Sequence, residues 1–271
     1  MKRTVGFPSL SLAAAAVAVA GLSGLAALPG AASANEIGVQ FAGATGTALS
    51  SGTYAGVVSQ DNWNTQNNNA ASAVALKDNT GSTTLATVTY NSQGYGTANS
   101  AGKITTTPGD TTLSKNGIWS QYAPYKATIT LAHIPYASYD LIFYADMPSG
   151  LAQSIEVTPT GGSASYQTFQ GTGSGVTAWT AAGTPDTSNP TVFAATQAQL
   201  NTLGVPTANY AEFTGLTASG VAIVFGGSNV SPINGFQIVP VPEPAALGVM
   251  ALMGAGILLV CRKRKDKNNI G

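Results

Sequence analysis

Between residues 35 and 241 this 271-residue chain has no cysteine, no arginine and a single histidine. Its only cysteine, Cys261, lies near the C-terminus, so the segment before it holds no disulfide and no thiolate metal site. With so few nitrogen and sulfur ligands, zinc is excluded as a resident metal. A Ser-His-Asp triad could rest only on His133, and no G-x-S-x-G elbow accompanies it. Charge is scarce as well, at 8% of residues, and the formal net charge is zero. That balance hides a segregation: residues 35–241 carry nine acids against four lysines, a formal −5. An acidic surface without arginine does not bind nucleic acid, whose phosphates need a basic patch.

What is present is concentrated at the two ends and in short apolar runs between them. Lys2 and Arg3 precede an apolar stretch over residues 10–28, then Pro29-Gly30 and the small-residue run Ala31-Ala32-Ser33-Ala34. Ala32 and Ala34 satisfy the A-x-A rule, so residues 1–34 are expected to be a signal peptide cleaved after Ala34. At the other end Pro242-Glu243-Pro244 precedes an apolar run, expected to be a transmembrane helix over about residues 245–261. At 1.5 Å rise per residue it reaches about 25 Å, a minimal span. The cluster Arg262, Lys263, Arg264 and Lys265, within a basic tail over 262–267, is a stop-transfer signal obeying the positive-inside rule. Both ends give one topology, with residues 35–239 exported and the tail cytoplasmic.

The order Pro-Glu-Pro, short apolar helix, basic cluster over residues 240–267 resembles the PEP-CTERM sorting signal. The resemblance implies export, transient anchoring in the inner membrane, and processing near Pro242, Glu243 and Pro244 by the membrane enzyme exosortase. Its bacteria make exopolysaccharide, and the final location implied is the cell envelope or extracellular matrix. The flanking prolines keep Glu243 extended, a form a protease-like site can grip.

Residues 35–239 read as one all-β domain. Short β-like runs at 37–41, 54–58, 73–77, 83–90, 126–131, 139–146, 154–158, 166–170, 176–180, 210–214, 221–225 and 233–239 alternate with Gly, Asn, Pro and Ser. Tyr139-Asp140-Leu141-Ile142-Phe143-Tyr144 is apolar enough for a central strand covered on both faces. Only residues 196–203 read as helix. The expected fold class is an antiparallel β-sandwich, jelly-roll-like. Phe41-Ala42-Gly43, Ala55-Gly56-Val57-Val58, Asn62-Trp63-Asn64 and the passage through Ile233-Asn234-Gly235-Phe236 also resemble PEP-CTERM surface proteins with galactose-binding-like jelly-roll modules.

No catalytic residues and no cofactor are expected. Structural calcium stays open at Asp61-Asn62 or Asp78-Asn79, although each fits a turn equally. A glycosidase would need paired carboxylates, and Asp140, Asp146 and Glu156 are the candidates. On one strand Asp140 and Asp146 stand about 20 Å apart, too far to act together. Polysaccharide binding is the more natural expectation, since sugar sites set aromatic faces beside amide and carboxylate groups. Trp63, Trp119 and Tyr122 are the expected ligand residues, with Trp179 a further candidate. The expectation is thus a non-enzymatic structural or adhesive protein. The competing classes are a secreted carbohydrate-active enzyme and a partner-binding appendage subunit.

Overall fold

The computed structural model describes residues 35–43, 46–97, 104–121, 125–173, 175–186, 204–227 and 230–242. The expected signal peptide, the transmembrane helix, the basic tail, the 196–203 helix, Tyr122, Glu243 and Pro244 lie outside these residues.

Strands dominate, as the sequence anticipates, and two sheets form a sandwich. The first is five-stranded, in the order β12 (Tyr210–Leu216), β8 (Tyr139–Tyr144), β15 (Gly235–Pro240), β1 (Ile37–Phe41), β2 (Asn64–Gln66). Its pairings are antiparallel except β1 with β2. The second is seven-stranded: β11 (Thr207–Ala208), β10 (Ser165–Gly171), β9 (Ala152–Pro159), β13 (Val221–Gly227), β7 (Ala127–Ala132), β4 (Thr83–Asn91), β3 (Ala70–Lys77). A small third sheet joins β14 (Ser231–Ile233), β6 (Asn116–Ser120) and β5 (Gly94–Thr97). The chain passes back and forth between the large sheets at β7–β8–β9 and again at β12–β13, which gives the sandwich its jelly-roll-like character.

Period-2 alternation sets the core. Ile37, Val39 and Phe41 of β1, Leu141 and Phe143 of β8, and Phe236 and Ile238 of β15 face inward. They meet Val88 of β4, Ile129 and Leu131 of β7, Ile155 and Val157 of β9, and Ile223 and Phe225 of β13. Phe143 packs on Phe213 at 6.1 Å, edge to face, and on Phe236 at 6.0 Å.

The outer face of the five-stranded sheet is also covered. Ile142 and Tyr144, the alternate residues of β8, join Leu49, Ala55, Trp63 and Leu113 in a second apolar cluster. Leu113 belongs to α1 (Asp110–Leu113), a single turn where the sequence reads only a Pro-Gly-Asp turn. This explains why β8 lacks a wet face: both sides are buried, as its apolar run suggests. Polar side chains on that outer face satisfy the covering loops. Gln40 accepts the Leu49 N–H at 2.8 Å and donates to the Thr47 carbonyl at 3.1 Å.

Two expected strands are not strands. Residues 54–58 form a turn in which Ala55 and Gln60 exchange backbone hydrogen bonds, and Gly56 sits at φ +96°. Residues 176–180 run as a loop whose backbone bonds go to Thr105 and to Asn209 and Tyr210. In both places hydrogen bonds to distant residues override local strand propensity.

Candidate functional site

The loops at residues 54–60, 104–110 and 175–182 converge on the start of β12. Asp110, fully buried, holds the first two together. Its Oδ1 accepts the Gly56 N–H at 2.7 Å and its Oδ2 the Thr107 N–H at 2.7 Å. Thr107 in turn donates through its hydroxyl to the Tyr54 carbonyl at 3.0 Å. The third loop is tied on by the Thr105 N–H to the Thr177 carbonyl at 2.9 Å. Buried Asn209 accepts the Thr180 N–H at 2.7 Å and donates to the Ala178 carbonyl at 3.1 Å. Beneath them, the Tyr144 hydroxyl accepts the Val57 N–H at 2.8 Å and donates to Gln237 Oε1. Gln237 Nε2 completes the network on the Val58 carbonyl at 2.7 Å and Gln60 Oε1 at 2.8 Å.

These bonds leave an open cleft of about 270 Å³, lined by Val57, Ser59, Thr106, Thr107, Trp179 and Tyr210 among others. Trp179 leans on Tyr144 with ring centroids 4.6 Å apart and planes at 53°. Its indole Nε1 is shielded from solvent and has no hydrogen-bond partner among the described residues, so what Trp179 offers the cleft is its ring. Burial, and then the neighbouring Glu212 charge, push the Tyr210 phenol up, which keeps it a neutral donor and acceptor. The cleft therefore offers two aromatic side chains and several hydroxyls.

The strand register places this cleft. Ile37 pairs with Ile238 and Pro240 with Tyr139, so Asn35 and Pro242 leave the sheet at the same end. Tyr210 pairs with Tyr144, at the opposite end of β8 from Tyr139, about 17 Å away along the strand.

The sequence-derived ligand residues are scattered. Trp63 is 7% exposed, packs edge-on to Tyr144 at 6.1 Å, and donates its indole N–H to the Gln60 carbonyl at 3.1 Å. It is a core residue of the second cluster and presents no stacking face, which corrects the expectation for it. Trp119 is half-buried on β6, its indole lying over the glycines of β5. A Cβ on Gly94 would come within 2.3 Å of its Nε1, so one ring face is occupied by β5. Tyr122 lies outside the described residues. Of the sequence candidates, only Trp179 lines the cleft. Tyr210, Thr106 and Thr107 were not singled out, because nothing local distinguishes them from strand and turn residues.

The three candidate carboxylates do not meet. Asp146 is buried, Glu156 lies on the other large sheet, and Asp140 accepts the Gly215 N–H at 2.8 Å. Of the calcium candidates, Asp78 Oδ1 is engaged by its own turn, accepting from Thr80 N at 2.9 Å and Ser82 N at 3.0 Å. Asn62 accepts from Ser51 and donates to the Asn79 carbonyl. Among the described residues no three of His, Cys, Asp and Glu gather as metal ligands. Nor is any described helix long and apolar enough to cross a membrane.

The architecture defines an all-β sandwich with a loop-built cleft at one end and Asn35 and Pro242 at the other. Residues 240–265 match the PEP-CTERM protein-sorting motif. That motif implies export and sorting by exosortase, and it begins at the last residue of β15. No curated protein matches the chain. Among solved structures, TmCBM61 in complex with beta-1,4-galactotriose aligns over 57% of this chain and 88% of its own. The identity is 10% and the TM-score 0.28, too low to carry an argument.

Proposed function

We propose that this protein is a non-enzymatic component of the cell envelope or extracellular matrix that binds polysaccharide in the Trp179–Tyr210 cleft. The observation that carries the reading is the cleft itself, in which the Trp179 and Tyr210 rings stand beside the hydroxyls of Ser59, Thr106 and Thr107. A sugar ring complements that arrangement, with an apolar face for the aromatic rings and hydroxyls that hydrogen-bond the side-chain hydroxyls. The formal −5 of residues 35–241 disfavours polyanions, so the ligand class is a neutral glycan.

The topology supports presentation. While residues 245–261 hold the precursor in the membrane, the sheet end carrying Asn35 and Pro242 faces the bilayer. The cleft then points outward. Processing near Glu243 releases the domain with the cleft already facing the matrix.

The test is affinity electrophoresis of the processed protein in gels containing neutral and anionic polysaccharides, beside Trp179→Ala. Retardation by a neutral glycan, lost in Trp179→Ala with the fold intact, is the expected outcome. Retardation unchanged by the substitution would place binding elsewhere. Breakdown of the polysaccharide would show an enzyme instead.

A further inference from the structure

The first described residues of the chain pose a separate problem in electrostatics. Glu36 is 1% exposed, and its Oε2 is shielded from solvent with no hydrogen-bond partner. A buried carboxyl in that state calls for an explanation, because an ionised one needs a partner and a neutral one forfeits its charge. Burial holds Glu36 up at about 7, and among the described residues no favourable charge offsets it.

The Asn79 N–H donates to the Glu36 carbonyl at 2.8 Å, and Asn79 Oδ1 accepts the Asn35 N–H at 3.0 Å. The Tyr136 hydroxyl donates to the Asn35 carbonyl. Burial raises the Tyr136 phenol first, and the charges of Asp78 and Glu36 add to that, so both carboxylates act on the hydroxyl that holds the Asn35 carbonyl. Asp78 is itself buried, and its Oδ1 is taken up by the Thr80–Ser82 turn. Asn35 is exposed and anchored on both sides, between Asn79 and Tyr136.

Asn35 is also the residue that follows Ala34 of the A-x-A run. We propose that the Glu36–Asp78–Asn79–Tyr136 cluster is a binding site for the chain's own new amino terminus. On this inference, which rests on the export reading, hydrolysis of the Ala34–Asn35 bond turns a peptide N–H into an α-ammonium. That group keeps the Asn79 acceptor and gains two further donors beside the Glu36 carboxylate. An α-amino group is largely protonated at neutral pH, with an ordinary pKa of about 7.7–8.0. Charge-assisted bonds of this kind are roughly twice as strong as neutral ones. Removal of the leader thereby completes the fold, and the precursor remains the less stable form until it is cut.

The full-length chain tests this when expressed in a host that exports and processes it. Four forms are compared: wild type, a Gly-Ser insertion between Ala34 and Asn35, Glu36→Gln, and the two combined. Each processed protein is purified, its N-terminus is read by mass spectrometry, and its melting curve is recorded at pH 7. The expected result is a wild-type chain beginning at Asn35 that melts at least about 2–4 °C above the insertion form. In the Glu36→Gln pair that gap closes, as a direct pairing requires. Equal melting of wild type and insertion overturns the inference, and so does a gap that survives Glu36→Gln. A wild-type chain that keeps residues before Asn35 overturns both the inference and the assigned cleavage site, so the two failures are distinguishable.

Discussion

Replacing Asp110 by alanine tests the organisation of the cleft most directly. The carboxylate is fully buried and accepts two backbone N–H groups, from Gly56 and Thr107, both at 2.7 Å. A hydrogen bond to a charged group contributes about 1.5–3 kcal/mol net, and alanine leaves both donors without an acceptor. The expected loss is therefore about 3–5 kcal/mol, a large part of the stability of a domain that rests on roughly 5–15 kcal/mol. Asp110→Asn keeps one acceptor oxygen but turns an amide N–H toward the second donor, so its cost is about half as large. Urea unfolding of both variants beside the wild type gives these differences from the midpoints at constant slope. Glycan retardation should fall in both, because the loops carrying Val57, Thr106 and Thr107 lose their common anchor. An alanine cost below about 1 kcal/mol would mean that water replaces the carboxylate, and the account of a rigid, preorganised cleft would fail.

Gly56 is the second sensitive point. At φ +96° an added Cβ would stand 2.5 Å from Gln237 Oε1 and 2.8 Å from the Tyr144 hydroxyl. Gly56→Ala should therefore cost about 1–3 kcal/mol in urea unfolding, whereas Gly52→Ala, with open space around it but a similar positive φ, should cost less. For sorting, Glu243→Ala should leave the C-terminal tail attached in a cell that has exosortase. Identical C-terminal peptides from wild type and variant by mass spectrometry would refute the role assigned to Glu243.

The order Pro242-Glu243-Pro244, apolar run and basic cluster is a local message, and sequence alone determined it. A sorting enzyme and a bilayer read residue types at fixed spacing, which requires no fold. The strands were legible for a related reason. Ile37, Val39 and Phe41 alternate with Gly38 and Gln40 because the covered outer face of β1 is tied by Gln40 hydrogen bonds, while β8 is apolar throughout because Ile142 and Tyr144 join an apolar cluster on that face. Hidden from the sequence were β5 and β6, where Trp119 lies over Gly94 and Gly96 while Gly117 lets the Ile233 backbone approach closely. The tryptophans show the limit most clearly. In sequence, Trp63 in a polar Asn-rich stretch looks more like a sugar platform than Trp179 does, yet only the tertiary fold decides which ring is packed. Trp63 is packed because Gln60 and Tyr144 close over it; Trp179 borders a cleft because Asp110, Asn209 and Gln237 draw three distant loops together. The bonds from Asp110, Asn209 and Gln237 to these loops join residues 29 to 179 positions apart, and such separation leaves no trace in local pattern.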